Sequence, residues 1–181
     1  MKIKVILTIA VLLVIGYAQG QTKKTAIRKK KSAVAVKASQ KELKLEVGAR
    51  APKMVVEEWL SEVPDMKGKF VALDFWGPSC KPCIAGFPHV NELHRKYKND
   101  VVFIAATTDE SPAEVYTLDA GAPVEFYSMM QKAKAWNDDY KIVGIPNMIL
   151  IDPKGIVRYN GNGFELSEGM LTDIIAKYGN K

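Results

Sequence analysis

The spacing of apolar and polar residues changes several times along the chain, and each change predicts an element. "KMVVEEWL" (53–60) predicts a strand leading toward a loop at Pro64. "KFVALDF" (69–75) is a short, mostly apolar run, suited to a central strand covered on both faces. After Cys80 the period becomes helical, with Ile84, Phe87, Val90, Leu93 and Tyr97 recurring at three and four residues. Pro88 lies inside that run and predicts a kink, because it lacks an N–H and crowds the preceding turn. "VVFIAAT" (101–107) predicts a second buried strand. "SPAE" (111–114) predicts a helix start, with Ser111 as N-cap, Pro112 at the first helical position and Glu114 closing a capping box. Phe126, Tyr127, Met129 and Met130 read as strand and core, and a further helix is expected around 131–140.

"NMILIDPKGIVRYNG" (147–161) reads as strand, tight turn at Pro153 to Gly155, and strand. The last segment, "SEGMLTDIIAKYG", places Met170, Leu171, Ile174 and Ile175 on one helical face, with Gly179 as the stop. A front strand–helix–strand unit and a late hairpin together predict an α/β domain. Its sheet is mixed, with helices on both faces. There is no internal repeat.

The first fifty residues follow another pattern. Two lysines in Met1 to Lys4 precede an apolar run at 5–15, and Ala18 and Gly20 follow as small residues around a cleavage site. This predicts a secretory signal peptide at 1–20, cut after Gly20. The run is shorter than the roughly 20 residues of a comfortable membrane span, and an uncleaved anchor is the alternative. "KKTAIRKKK" just beyond the run works against translocation.

Charge separates the same two regions. The chain has 26 Lys and Arg against 20 Asp and Glu, of which 12 and 2 fall in the first fifty residues, leaving 14 against 18 for the rest. The net charge of +6 therefore belongs to the leader and to a linker at 21–46, ahead of a domain at 47–181. That linker is rich in Lys, Ala, Ser and Thr and has no aromatic residue, so it reads as a solvated tether. Binding of anionic lipid headgroups or nucleic acid is its functional alternative. The domain has no basic stripe interleaved with aromatic residues, which argues against nucleic acid as a partner.

Both cysteines, Cys80 and Cys83, lie in "DFWGPSCKPC" (74–83). A crosslink over so short a loop removes little entropy from the unfolded chain, so stability does not explain the pair. The pair sits where a buried strand gives way to a helix. Residues three apart on a first turn are close enough to join as a disulfide. The unpaired N–H groups of that turn favour a thiolate at Cys80, Lys81 adds positive charge, and Pro82 stiffens the loop at little cost. Lowering a thiol from about 8.5 to about 7 takes roughly 2 kcal/mol, within reach of a helix terminus and one lysine. Reaching about 3.5 takes roughly 7 kcal/mol, and nothing visible supplies that. A moderately activated Cys80 at the surface is the expectation.

Two other readings stay open at this point. One is a non-catalytic module holding Cu(I) or Zn²⁺, although His89 and His94 lie about 140° apart around a helix and make poor additional ligands. The other is a static disulfide. A peroxidase is disfavoured, since no Pro-x-x-x-Thr-x-x context precedes the thiol.

"FVALDFWGPSCKPC", the amphipathic helix after it, and "VGIPN" (143–147) ahead of a hairpin together resemble the thioredoxin fold. The resemblance is closest to the exported TlpA/ResA-like thiol–disulfide oxidoreductases and covers about 47–178. It implies a thioredoxin-like α/β architecture: a central mixed sheet flanked by helices on both faces, an N-terminal strand extension and a helical insertion. It implies that Cys80 attacks the substrate and Cys83 resolves the mixed disulfide. Pro146 takes the place of the family's cis-proline, and Ile145 before it presents backbone to the substrate strand. Asp74 stands where thioredoxins keep a buried Asp that moves a proton from the second cysteine, whereas TlpA/ResA-like members more often have Asn.

Gly86 stands where many of those members carry Glu, and Ser79 replaces their usual Trp, leaving a more open surface. Trp76 is either core or part of the substrate ledge. The implied partners are exported cysteine-containing proteins and a membrane thiol-reducing protein, met by a monomer in the periplasm or cell envelope. The implied direction is reduction, with oxidation or isomerisation as alternatives. No metal and no dissociable cofactor is implied, because the cysteine pair itself carries the electrons.

Overall fold

A computed structural model of the chain describes residues 45–108 and 123–179. The expected signal peptide, most of the linker and the helix start at 111–114 lie outside the described residues. Six strands form one sheet in the order β1-β4-β3-β2-β5-β6. They are β1 (Glu58–Trp59), β2 (Phe70–Phe75), β3 (Val101–Thr107), β4 (Tyr127–Met130), β5 (Asn147–Ile151) and β6 (Val157–Gly161). β3 runs parallel to β2 and β4, while β5 is antiparallel to β2 and to β6, so the sheet is mixed as predicted.

The middle strands explain the long apolar runs. All seven residues of β3 are buried, and β2 is buried at every position but Val71. Helix α1 (Lys81–Tyr97) lays Phe87, Val90 and Leu93 on one face of the sheet, with Ile84 and Tyr97 half-buried beside them. The helix runs through Pro88, and His94, Arg95 and Lys96 lie in its last turn, where positive charge suits the carbonyl end. Helix α2 (Glu168–Tyr178) begins at a Ser167 cap and ends at Gly179, as expected. It packs through Leu171, Ile174 and Ile175, but Met170 is exposed rather than on the buried face. The other face of the sheet is covered by Leu45, Met54, Val56, Trp136, Tyr140 and Ile142.

Two expectations need correction. The strand at 53–60 is reduced to the two residues of β1, paired with Met129 and Met130 at the sheet edge. Upstream of it the Val55 carbonyl is taken by the side-chain amide of Gln131 instead of a strand partner. The helix expected at 131–140 shrinks to a π-helical turn, Ala135–Asp139. Gln131 still follows the sheet, its N–H bonded to the Thr107 carbonyl. The widened turn then closes from the Tyr140 N–H to the Ala135 carbonyl, which lets Trp136 and Tyr140 both pack on Phe75, with ring centroids 5.3 Å apart in each case.

Candidate active site

The end of β2 and the start of α1 bring the chemistry together. Cys80 is the N-cap residue of α1, with Lys81 and Pro82 opening the helix. Cys80 and Cys83 are joined as a disulfide with Cα atoms 5.3 Å apart. The Cys83 N–H donates to Cys80 Sγ at 3.3 Å, so a free backbone donor of the first turn points at that sulfur. No acidic residue lies in this turn to oppose a negative charge. The same donor that contacts the sulfur in the disulfide is placed to stabilise a thiolate on Cys80 after reduction.

Cys80 is less open than expected. It is 9% exposed and Cys83 4%, so the disulfide is recessed, and Cys80 is the more reachable of the two. Ser79, Lys81 and Pro82 around it are all exposed, which leaves the approach to Cys80 polar. The loop holds its shape through bonds from the Cys80 N–H to the Gly77 carbonyl and from the Lys81 N–H to the Ser79 carbonyl. Trp76 is 1% exposed and meets Phe87 edge to face, with centroids 5.2 Å apart. It supports the loop from the core and offers no ledge to a substrate.

The Ile145–Pro146 bond is cis. Ile145 reaches back over the cysteine loop, its Cδ1 3.5 Å from the place a Cβ on Gly77 would take. Ile145 itself is 36% exposed beside that loop. Asn147, next along β5, is held by Asn160, which in turn bonds the Leu45 carbonyl.

Asp74 is buried one turn of strand before this loop. Alternation along β2 sends its side chain to the face that carries Ala72 and Trp76, which pack with Cys83, Phe87 and Val90 of α1. Burial pushes the Asp74 carboxyl up to about 7. A carboxyl that titrates near neutrality, lying under the second cysteine's helix, is suited to taking and returning a proton.

The two histidines take packing positions. His89 Nε2 meets the Leu166 carbonyl at 3.1 Å. His94 sits among Phe103, Phe126 and Tyr127, where burial lowers its affinity for a proton. Among the described residues no group of three or more His, Cys, Asp or Glu side chains could hold a metal ion, nor is any helix long and apolar enough to cross a membrane.

What the sequence reading missed is the role of Gly86. A glycine in a helix interior costs about 1 kcal/mol relative to alanine, a signal of close packing. A Cβ at Gly86 would fall 2.4 Å from Phe164, whose ring occupies the space instead.

The cysteine pair at a helix start, opposite a cis-proline loop on a mixed sheet, defines the thioredoxin-like class. The family model that matches residues 68–157 is described in the same words, Thioredoxin-like. ResA, a thiol-disulfide oxidoreductase from Bacillus thuringiensis subsp. konkukian, is 36% identical over 132 residues, covering 71% of this chain and 76% of its own. The Bacillus subtilis ResA is 31% identical over 130 residues, covering 70% and 72%. A Chlorobium tepidum protein assigned to the DsbE thiol:disulfide interchange class superposes with a TM-score of 0.59 at 29% identity, over 73% of this chain and 97% of that one. The chain belongs to the ResA-like thiol–disulfide oxidoreductases.

Proposed function

We propose that this oxidoreductase reduces disulfides in exported proteins, with Cys80 as nucleophile, Cys83 as resolving thiol and Asp74 as proton acceptor. The reduced Cys80 thiolate attacks one sulfur of a substrate disulfide. That forms a Cys80–substrate bond and expels the other substrate sulfur as a thiolate. Cys83 then loses its proton to Asp74 and attacks Cys80 Sγ, closing the Cys80–Cys83 disulfide and releasing the second substrate thiol. Two electrons pass from the cysteine pair to the substrate. A membrane thiol-reducing partner returns them.

The observation that carries this reading is the Cys83 N–H directed at Cys80 Sγ, which supports giving the two thiols different roles. The exposed position of Ile145 ahead of cis-Pro146 supports docking of the substrate as an extended strand beside Cys80. Ser79 widens that approach, and Lys81 and Pro82 hold the Cys80 side of it. The apolar run and small residues at 1–20 support export to the periplasm or cell envelope, with 21–46 as the tether to a monomeric domain at 47–181.

Trapping tests the assignment. Cys83→Ser is expected to accumulate protein substrates disulfide-linked through Cys80, and Cys80→Ser to accumulate none. Equal trapping by both variants contradicts the division of roles. A reduction potential near thioredoxin's, about −270 mV, supports the reducing direction, and one near −120 mV reverses it.

A further inference from the structure

After β6, the 3-10 turn Gly163–Glu165 crosses the flank of α1 beside the buried carboxyl. Its first two residues make the contact in different ways. Gly163 comes so near that a Cβ there would lie 3.6 Å from Asp74 Oδ1, 3.2 Å from Met148 and 3.8 Å from Val90. Phe164 lays its ring in the space above Gly86, one turn of α1 beyond Cys83. The same turn is held to α1 by His89 Nε2 at the Leu166 carbonyl and folded by Asn162, whose side chain accepts from the Phe164 N–H at 3.1 Å. Phe164 remains 39% exposed, so one side of the ring faces water while the other covers the helix.

We infer that Phe164 is a positioning residue for the resolving step. Seated on Gly86, it holds the Gly163 backbone over Asp74 and limits the water that reaches the carboxyl that receives the Cys83 proton. The inference rests on the role given above to Asp74, and deepens it. A side chain at position 86 and an aromatic ring at 164 exclude each other, so a glycine at 86 is the condition for this plug. A carboxyl shielded in this way holds its proton to higher pH than an open one, and the plug thereby sets where resolution turns on.

Titratable groups on the surrounding elements include Cys83 and His89 on α1, Tyr159 on β6 and Glu165 on the turn, while β3 and β5 pair Ala105 and Met148 with Asp74. Tyr159 is pushed up by burial and by Glu165 to about 12, so it stays neutral throughout the neutral range.

The test follows the reduced protein reacting with 5,5′-dithiobis(2-nitrobenzoate). The first thionitrobenzoate released reports attack by Cys80, and the second reports resolution by Cys83. In the unaltered protein the second phase accelerates with pH through a midpoint near 7, as Asp74 becomes a base. Phe164→Ala is expected to move that midpoint down by about one pH unit, because more water now reaches the carboxylate. Gly86→Ala displaces the ring without deleting it and is expected to move the midpoint the same way. The double variant is expected to go no further than either single one. If Asp74→Asn leaves the midpoint in place, the role of Asp74 fails and this inference fails with it. If Asp74→Asn abolishes the midpoint but Phe164→Ala and Gly86→Ala leave it at its original pH, only the plug is overturned. A shift with Phe164→Ala alone contradicts the seat on Gly86.

Discussion

Two aspartates have little exposed surface in this molecule and have opposite characters. Asp74 and Asp152 are both buried, the first on β2 under α1 and the second at the end of β5 where the hairpin turns. At Asp152, burial works to raise the carboxyl. The Ile156 N–H, the Arg158 side chain and the Lys154 N–H outweigh it and hold the group below its usual value. Oδ1 accepts from the Lys154 and Ile156 N–H groups at 2.8 and 2.9 Å, and Oδ2 meets both Arg158 Nε and Nη2 at 2.8 Å. At Asp74 burial acts alone and the carboxyl rises to about 7. A buried acid supplied with donors becomes structure; one denied them retains a proton to exchange. Depth and partners together separate the two carboxyls.

Three substitutions and a pH profile test that contrast. The largest effect is expected from Asp74→Asn, which slows resolution about a hundredfold, the usual scale of a lost acid–base group. It also stabilises the fold at pH 8 by up to about 4 kcal/mol, since an ionised carboxylate no longer has to be buried. Rapid mixing and chemical denaturation read the two effects. Asp152→Ala does the reverse, costing about 3 kcal/mol by stranding Arg158 and two turn N–H groups, while turnover per folded molecule is retained. A common loss of activity in both variants would erase the distinction.

The pH dependence of stability separates the pair without mutation. The folded-state value of Asp74 lies above 3.8, so the native state binds more protons between 3.8 and about 7. Its contribution is full at acid pH and falls as pH rises through that window. The folded value of Asp152 is depressed, so its contribution is present above 3.8 and fades as pH falls below it. The predicted profile therefore declines on both sides, and Asp74→Asn flattens only the neutral limb. The smallest effect is reserved for the hairpin: Gly155 has φ 78°, and Gly155→Ala is expected to cost about 1 kcal/mol in denaturation without touching the exchange rate.

The sequence disclosed those elements whose signals are local. β2, β3, α1, the hairpin and α2 each carry a periodic run with its own start and stop, and the structure keeps them close to the expected bounds. Cys80 and Cys83 were legible because three-residue spacing at a helix start has a direct geometric meaning. The edge formed by β1 and β4 was less so, because Glu58 and Trp59 pair with residues some 70 positions away. The π-helical turn depends on Trp136 and Tyr140 both finding Phe75, which no local pattern encodes. Trp76 and Asp74 shared the same ambiguity. Their burial follows from alternation along β2, but what surrounds them is set by α1 and by the turn at Gly163. Gly86 was visible as a departure from the family pattern, and its meaning waited on Phe164, 78 positions later.

The proposed mechanism requires unequal thiols in the reduced protein, with Cys80 ionised first by the start of α1. Following alkylation of each cysteine by iodoacetamide across pH tests it most directly. Cys80 is expected to be modified first, with a midpoint below that of an ordinary thiol, and Cys83 to stay protected until higher pH. Modification beginning at Cys83, or both thiols reacting together with the ordinary midpoint of about 8.5, would contradict it.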